Sequence, residues 1–358
     1  MPENKLGSGA YSKVICSEGH AVKYHDSVRH VALTEWLVSN SIRHPAVMRF
    51  DNIDDQFNIT MTLGDGDLHD AISNNLYTID QLYEIMKQVL CGLDAMHSRK
   101  FAHNDIKARN IILIDHAPKI IDFGISIQYE LMRTRKTIQT ITHRAPEIYD
   151  KYQVHDDSTD VWAFGCTLFE CLYRGPIIAQ EFWKMSSPQA LISTIDTSYR
   201  DEKTAHQYLL SDKAQEEFNG YLLDYEPFDS RHVMYHMMID CLQLDPKRRL
   251  NIRQLMDKYD VHHPPHLPII SILHNMNFKQ VLSKRIDEKL DHTTSTYCKK
   301  IAFEIGKTLR VISDVDVDID ELARQAVIIS KCIFNFALND IELEDLKKLH
   351  PIIGKLYI

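Results

Sequence analysis

Two polar clusters set at the edges of apolar runs constrain this chain more than any other feature. His103 to Asn110 reads H-N-D-I-K-A-R-N, and I-I-D-F-G follows at Ile120 to Gly124. Between Asn110 and Asp122 the apolar residues leave room for two short strands, which would carry one cluster at each end. Two carboxylates, an amide and an ammonium therefore sit at the rims of buried strands or tight loops. Phosphoryl transfer is one chemistry that asks for such a set. The other reading is a folded relic that keeps the shape without the chemistry.

Around these clusters the apolar pattern changes period. Lys5 to Met61 is strand-rich, with one helical stretch at Val31 to Ser39. From Asp67 onward helical spacing takes over, as in Leu82, Ile85, Met86, Val89, Leu93 and Met96. Further helical patterns lie at Val161 to Leu172, Val233 to Leu242 and Arg253 to Met256. Strands followed by helices predict an α+β chain of two lobes with a crevice between them. The expected divisions are a small β-rich lobe and hinge over residues 1–64 and a larger helical lobe over 65–260. A Pro/His-rich linker over 261–268 and an all-α extension over 269–358 follow.

Composition removes several alternatives. A net charge of -9 argues against coating nucleic acid or an anionic membrane, so neither partner is expected. There is no apolar run of the length that spans a bilayer, and the start lacks a secretory pattern, so a non-secreted cytoplasmic or nuclear protein is expected. The seven cysteines are scattered, which suits reduced thiols. The histidines of D-V-H-H-P-P-H-L-P suit a linker better than zinc, because no further ligand set accompanies them.

Taken in order, the motifs resemble those of eukaryotic-type serine/threonine protein kinases from Lys5 to about Tyr259. L-G-S-G-A-Y-S-K-V is similar to the glycine-rich loop, with Ser12 in place of its third glycine. The resemblance implies that Gly7, Ser8, Gly9 and Ala10 bring backbone N–H groups to the ATP phosphates, and that Val14 and Ala21 enclose the adenine. It makes Lys23 the residue that grips the α- and β-phosphates, and Glu35 its helix-borne partner, although a solvated helix glutamate is the plainer alternative. Met61 takes the gatekeeper position, Thr62, Leu63 and Gly64 the hinge, and Ile112 joins the nucleotide contacts; the usual acidic hinge residue is absent.

In H-N-D-I-K-A-R-N the same resemblance makes Asp105 the residue that orients the substrate hydroxyl and accepts its proton. Lys107 would stand beside the transferring phosphate, and Asn110 and Asp122 would hold magnesium, with manganese as the alternative metal. Thr140 in T-I-T-H-R-A-P-E matches the Thr that bonds the catalytic Asp and Lys. Glu147 would pair with Arg249, and Asp160 would brace the catalytic-loop backbone. Glu170 either reads a basic substrate residue or is a structural helix carboxylate. R-T-R-K at Arg133 to Lys136 either faces solvent or recognises an acidic substrate. Asn104 departs from the family, which places there an Arg that pairs with a phosphorylated activation loop. A neutral amide cannot form that pair, so activity independent of loop phosphorylation is expected.

Beyond the linker, L-A-R-Q-A-V-I-I-S-K-C-I-F with I-E-L-E-D-L resembles the central helix of a cyclin box, or belongs to an unrelated helical extension. Cyclin-like helices would dock in cis on the Glu35 helix, or would bind a partner. The compressed N-terminal lobe resembles trimmed kinases of large DNA viruses, for which a host cell or virion would be the setting. The expected activity is ATP-dependent phosphorylation of a protein substrate; the alternative is a pseudokinase scaffold acting through its C-terminal helices.

Overall fold

A computed structural model describes residues 4–8, 12–25, 29–54, 56–128, 140–149, 157–175, 211–223 and 231–264. They form two compact units, residues 4–43 with 48–63, and residues 44–47 with 64–264. The expected C-terminal extension, the R-T-R-K run, Gly9 and Ala10 lie outside the described residues.

The first unit is an antiparallel five-stranded sheet with one helix. Its strands are β1 (Asn4–Ser8), β2 (Ser12–Ser17), β3 (His20–His25), β4 (Phe50–Ile53) and β5 (Ile59–Thr62), in the order β1-β2-β3-β5-β4. Between β2 and β3 only Glu18 and Gly19 intervene, both with positive φ (51° and 81°), the backbone that matches the twist of a two-residue hairpin. That turn fixes the register. Val14 lies opposite Lys23 and Cys16 opposite Ala21, while Ile59 and Met61 face the same two residues from β5. Cross-strand neighbours share a face, so Val14, Ala21, Lys23 and Met61 come together on one side of the sheet.

Helix α1 (Arg29–Ser41) buries Ala32, Leu33, Trp36 and Val38. Near its end Ser39 Oγ donates to the Met48 carbonyl at 2.7 Å and accepts from the Phe50 N–H at 3.1 Å, which sets where the chain re-enters the sheet.

The second unit is mainly helical. Two short elements, β6 (Gly66–Asp67) and α2 (Leu68–Ser73), lead to α3 (Ile79–Ser98). Thr78 and Gln81 cap the start of α3 reciprocally, and Leu82, Ile85, Met86, Val89, Leu93 and Met96 are all buried, as their spacing predicts. A two-residue strand, β7 (Phe101–Ala102), precedes H-N-D-I-K-A-R-N. The hairpin of β8 (Ile111–Ile114) and β9 (Ala117–Ile120) follows, turned through Asp115 and His116, both again at positive φ. A short strand, β10 (Ile127–Gln128), pairs with β7.

The core of this unit is α4 (Ser158–Tyr173), buried on every side and packed on α6 (Val233–Cys241). Trp162 stacks on Phe218 of α5 (Asp212–Leu223), and α7 (Ile252–Lys258) packs on α3. Arg249 locks these helices to the segment at Glu147. Its guanidinium donates to both Glu147 carboxylate oxygens (2.6 and 3.1 Å) and to the carbonyls of Ser158 and Gln243. Such an arrangement satisfies a buried ion pair whose loss of one partner would leave an uncompensated charge.

Candidate active site

In the first unit the sheet's shared face carries a buried cation. Lys23 Nζ donates to Glu35 Oε1 at 2.6 Å, with the Glu35 side chain 1% exposed. Glu35 is therefore not a solvated helix residue. A buried ammonium needs such a counter-charge to stay ionised. Strand β3 supplies the Lys and α1 the Glu. On this sheet Gly7 pairs with Val14 and Ser8 with Lys13, while Thr62 pairs with His20 at the end of β5. Leu63 is the last residue of this unit before Gly64 begins the next stretch of the other.

The second unit gathers residues of H-N-D-I-K-A-R-N and Thr140 around one carboxylate. Asp105 Oδ1 accepts the Thr140 hydroxyl at 2.5 Å and the Thr140 N–H at 3.3 Å. Its Oδ2 accepts Lys107 Nζ at 2.6 Å and Asn110 Nδ2 at 2.9 Å. Lys107 Nζ also donates to Thr140 Oγ1 at 2.8 Å, and Asn110 Nδ2 to the Asp105 carbonyl at 2.8 Å. Burial alone would raise the Asp105 carboxyl. The Lys107 charge and hydrogen bond, the Thr140 hydroxyl and the His103 ring outweigh it and hold the group below its usual range. Asp105 is consequently an ionised acceptor.

The backbone under this carboxylate is equally constrained. Asp160, fully buried on α4, accepts the N–H groups of His103 and Asn104 at 2.7 Å each and lies 2.9 Å from His97 Nε2. Burial would raise its pKa, yet these hydrogen bonds and the His97 and His103 rings keep it lowered. His103 accepts the Asp105 N–H on Nδ1 and faces the Ile121 carbonyl with Nε2 at 2.9 Å, which assigns the proton to Nε2. The Ile121 N–H in turn bonds the Asn110 carbonyl at 3.0 Å, so the β8–β9 hairpin returns the chain to Asn110 one residue before Asp122. Asp122 and Asn104 both take positive φ (67° each), a conformation Asp and Asn tolerate better than most residues.

Asn104 is buried and donates Nδ2 to the Ile125 carbonyl at 3.1 Å. Glu170 is buried too, receives the Ala108 backbone N–H, and stands 3.5 Å from His143 Nε2. Burial pushes Glu170 up to about 7 and His143 down to about 4. Gly64 abuts β8: a Cβ there would fall 2.0 Å from Ile112 Cγ2, so glycine is what lets the chain pass.

The donor set fits a hard divalent cation held partly by phosphate. Asn110 uses its amide nitrogen on Asp105, which leaves the amide oxygen to offer, and Asp122 supplies a carboxylate. Among the described residues no group of three or more His, Cys, Asp or Glu side chains is arranged to hold a metal alone. Magnesium bound by one or two protein oxygens plus substrate phosphates suits such a set, whereas a structural zinc does not. Of the linker histidines, His263 bonds Asp94 at 2.9 Å instead.

Sequence reasoning did not single out His25, which contacts Glu35, or His143. The first had a legible signal: it stands two residues beyond Lys23 on a strand, hence on the same face.

An antiparallel sheet carrying a buried Lys–Glu pair, and a helical unit carrying an Asp–Lys–Asn–Thr network beside D-F-G, together define a protein-kinase-type fold. The chain belongs to the protein kinase family: the model of the protein kinase domain matches residues 2–259. It is similar to mitogen-activated protein kinase kinase kinase 1a of Physcomitrium patens, with 30% identity over 42% of this chain and 21% of that protein. It also resembles the human serine/threonine-protein kinase Nek5 (28% identity; 48% of this chain, 27% of the relative). The rat serine/threonine-protein kinase 16 is a third relative (35% identity; 28% and 38%). The chain thus spans about a fifth to two-fifths of the length of these relatives.

Proposed function

We propose that the chain is an ATP-dependent serine/threonine protein kinase, moving the γ-phosphoryl group to a protein Ser or Thr hydroxyl. The observation that carries this reading is the Asp105 network, in which Lys107 and Thr140 both bond the carboxylate. Asp105, held ionised, accepts a hydrogen bond from the acceptor hydroxyl and so aims its oxygen. Because its pKa is depressed it is a weak base, and it takes the proton late, as the hydroxyl becomes acidic. Lys107 lies where negative charge on the moving group would meet an ammonium. Lys23, fixed by Glu35, holds the donor phosphates, and Gly7, Ser8, Gly9, Ala10, Val14, Ala21, Met61, Thr62, Leu63, Gly64 and Ile112 form the nucleotide's surroundings. Asn110 and Asp122 would hold magnesium, which would supply positive charge to offset that of the phosphates.

Asn104 deepens the reading. Its buried amide is engaged with the Ile125 carbonyl, so no cation at this position awaits a phosphorylated loop, and turnover proceeds without loop phosphorylation. No helix among the described residues is long and apolar enough to cross a membrane.

The test incubates the purified full chain with Mg-ATP and a generic protein acceptor, with Asp122→Ala as control. Phosphate on Ser or Thr that disappears in the control supports the proposal. Equal, background-level incorporation in both would instead favour a scaffold.

A further inference from the structure

Glu35 receives two donors on one oxygen. Lys23 Nζ reaches Oε1 at 2.6 Å, and His25 Nε2 stands 3.3 Å from the same atom. The side chains of His25 and Glu35 are each 1% exposed, and among the described residues neither Glu35 Oε2 nor His25 Nδ1 has a hydrogen-bond partner. A ring nitrogen aimed at a carboxylate oxygen satisfies both groups when it carries the proton, so the contact assigns the proton to Nε2.

The consequence is mechanical. A carboxylate held by one ammonium can swivel, because its terminal torsion is broad and the Lys stem is flexible. Two donors from alternate residues of one strand restrict that freedom and tie Oε1 of α1 to two positions of β3. We propose that His25 is a positioning residue: its Nε2–H is the second anchor of Glu35, which keeps the Lys23 ammonium where it meets the donor phosphates. This rests on the kinase reading of Lys23.

The experiment compares His25→Leu, which fills the space without a donor, with His25→Gln, whose amide nitrogen offers a donor at a similar reach. His25→Leu should raise the KM for ATP and lower kcat/KM about tenfold, in line with losing one hydrogen bond to a charged group. It should also speed hydrogen exchange of the α1 amides, and His25→Gln should recover most of both effects. A Leu variant within twofold of the parent, or a Gln variant as impaired as Leu, overturns the proposal. Should the Leu variant fail to fold, nitrogen-15 spectroscopy of the parent decides: a proton on the His25 Nε2 supports the anchor, and a bare Nε2 removes it. If the parent transfers no phosphate at all, the kinase reading fails, and α1 exchange in the two variants still decides whether His25 anchors Glu35.

Discussion

Asp105 and Glu35 are both carboxylates withdrawn from water and both bound to a lysine, but they are held to different degrees. Both oxygens of Asp105 are engaged, by Lys107, Asn110 and the side chain and backbone of Thr140. Glu35 has both its donors on Oε1 and none among the described residues on Oε2. The first group is held on both oxygens, by its own loop and by Thr140 of a later segment, over a backbone braced by Asp160. The second depends on a strand and a helix staying in register. Support on both oxygens suits a group that, on the proposed reading, must present one fixed geometry to a reacting hydroxyl. An incompletely bonded carboxylate is the place where positioning can be lost first.

Substituting the central group of the Asp105 site gives the largest expected effect. Asp105→Asn keeps the shape but replaces an oxygen acceptor by an NH2, which then faces either the Lys107 ammonium or the Thr140 donors. Turnover should fall by about 10²–10⁴, the range expected when an acid–base group is removed. Nucleotide binding, followed by calorimetry, should survive this change better than it survives Lys23→Met, because on the proposed reading Asp105 addresses the acceptor and Lys23 the donor. Equal losses of nucleotide affinity in the two variants would erase the distinction between the sites.

A smaller effect is expected at Glu170, which is buried against the catalytic loop through the Ala108 N–H. Its pKa of about 7 lies above its ordinary 4.5, so its contribution to stability is complete below about 4.5 and is lost as pH rises through about 7. His143 shifts the other way, from 6.5 to about 4, so its contribution is complete above about 6.5 and is lost as pH falls through about 4. Between these limits the two slopes oppose one another and the pair leaves stability nearly level. Glu170→Gln removes one slope. Its unfolding free energy, measured by denaturant titration, should gain on the parent by about 1–3 kcal/mol between pH 5 and pH 8. A difference between the two proteins that stays constant over this range would show that Glu170 does not carry the proton assigned to it.

How much of this was legible in the sequence differs between the two units for a physical reason. Asp105, Lys107 and Asn110 lie within one loop, so their spacing alone brings them close, and the apolar runs after Asn110 mark the strands that return the chain to it just before Asp122. Lys23 with Glu35, and Glu147 with Arg249, are contacts between distant segments, and no local period encodes them; they were legible through the resemblance to protein kinases. Helix α3 announced itself by a wide apolar stripe. Helix α5 did not, because it buries a thin line of Ala214, Phe218 and Leu222 within an otherwise polar stretch. Glu170 remained open between substrate contact and structural role because its burial depends on how α4 meets the catalytic loop. His143 could not be read at all, since a histidine's surroundings follow from packing and not from its neighbours in the chain.

The smallest expected effect probes the one position where the catalytic loop departs from the family. An Arg before the catalytic Asp would give a phosphorylated loop a charged partner. Asn104 instead lies buried, with its amide on the Ile125 carbonyl and its N–H on Asp160. A phosphate on the following segment would meet no guanidinium there, so replacing Thr134 and Thr137, which could carry one, together with the neighbouring Gln139 should cost nothing. Alanine at Thr134, Thr137 and Gln139 together, with Thr140 retained, should leave kcat/KM within about twofold of the parent in a steady-state phosphorylation assay. Thr140 has to stay because its hydroxyl bonds Asp105, and losing it would confuse loss of the Asp105 site with loss of a phosphate switch. A collapse of rate in the triple variant would mean that the loop is ordered by a phosphate through some other cation, and the Asp105 site would then be as conditional as the Glu35 contact.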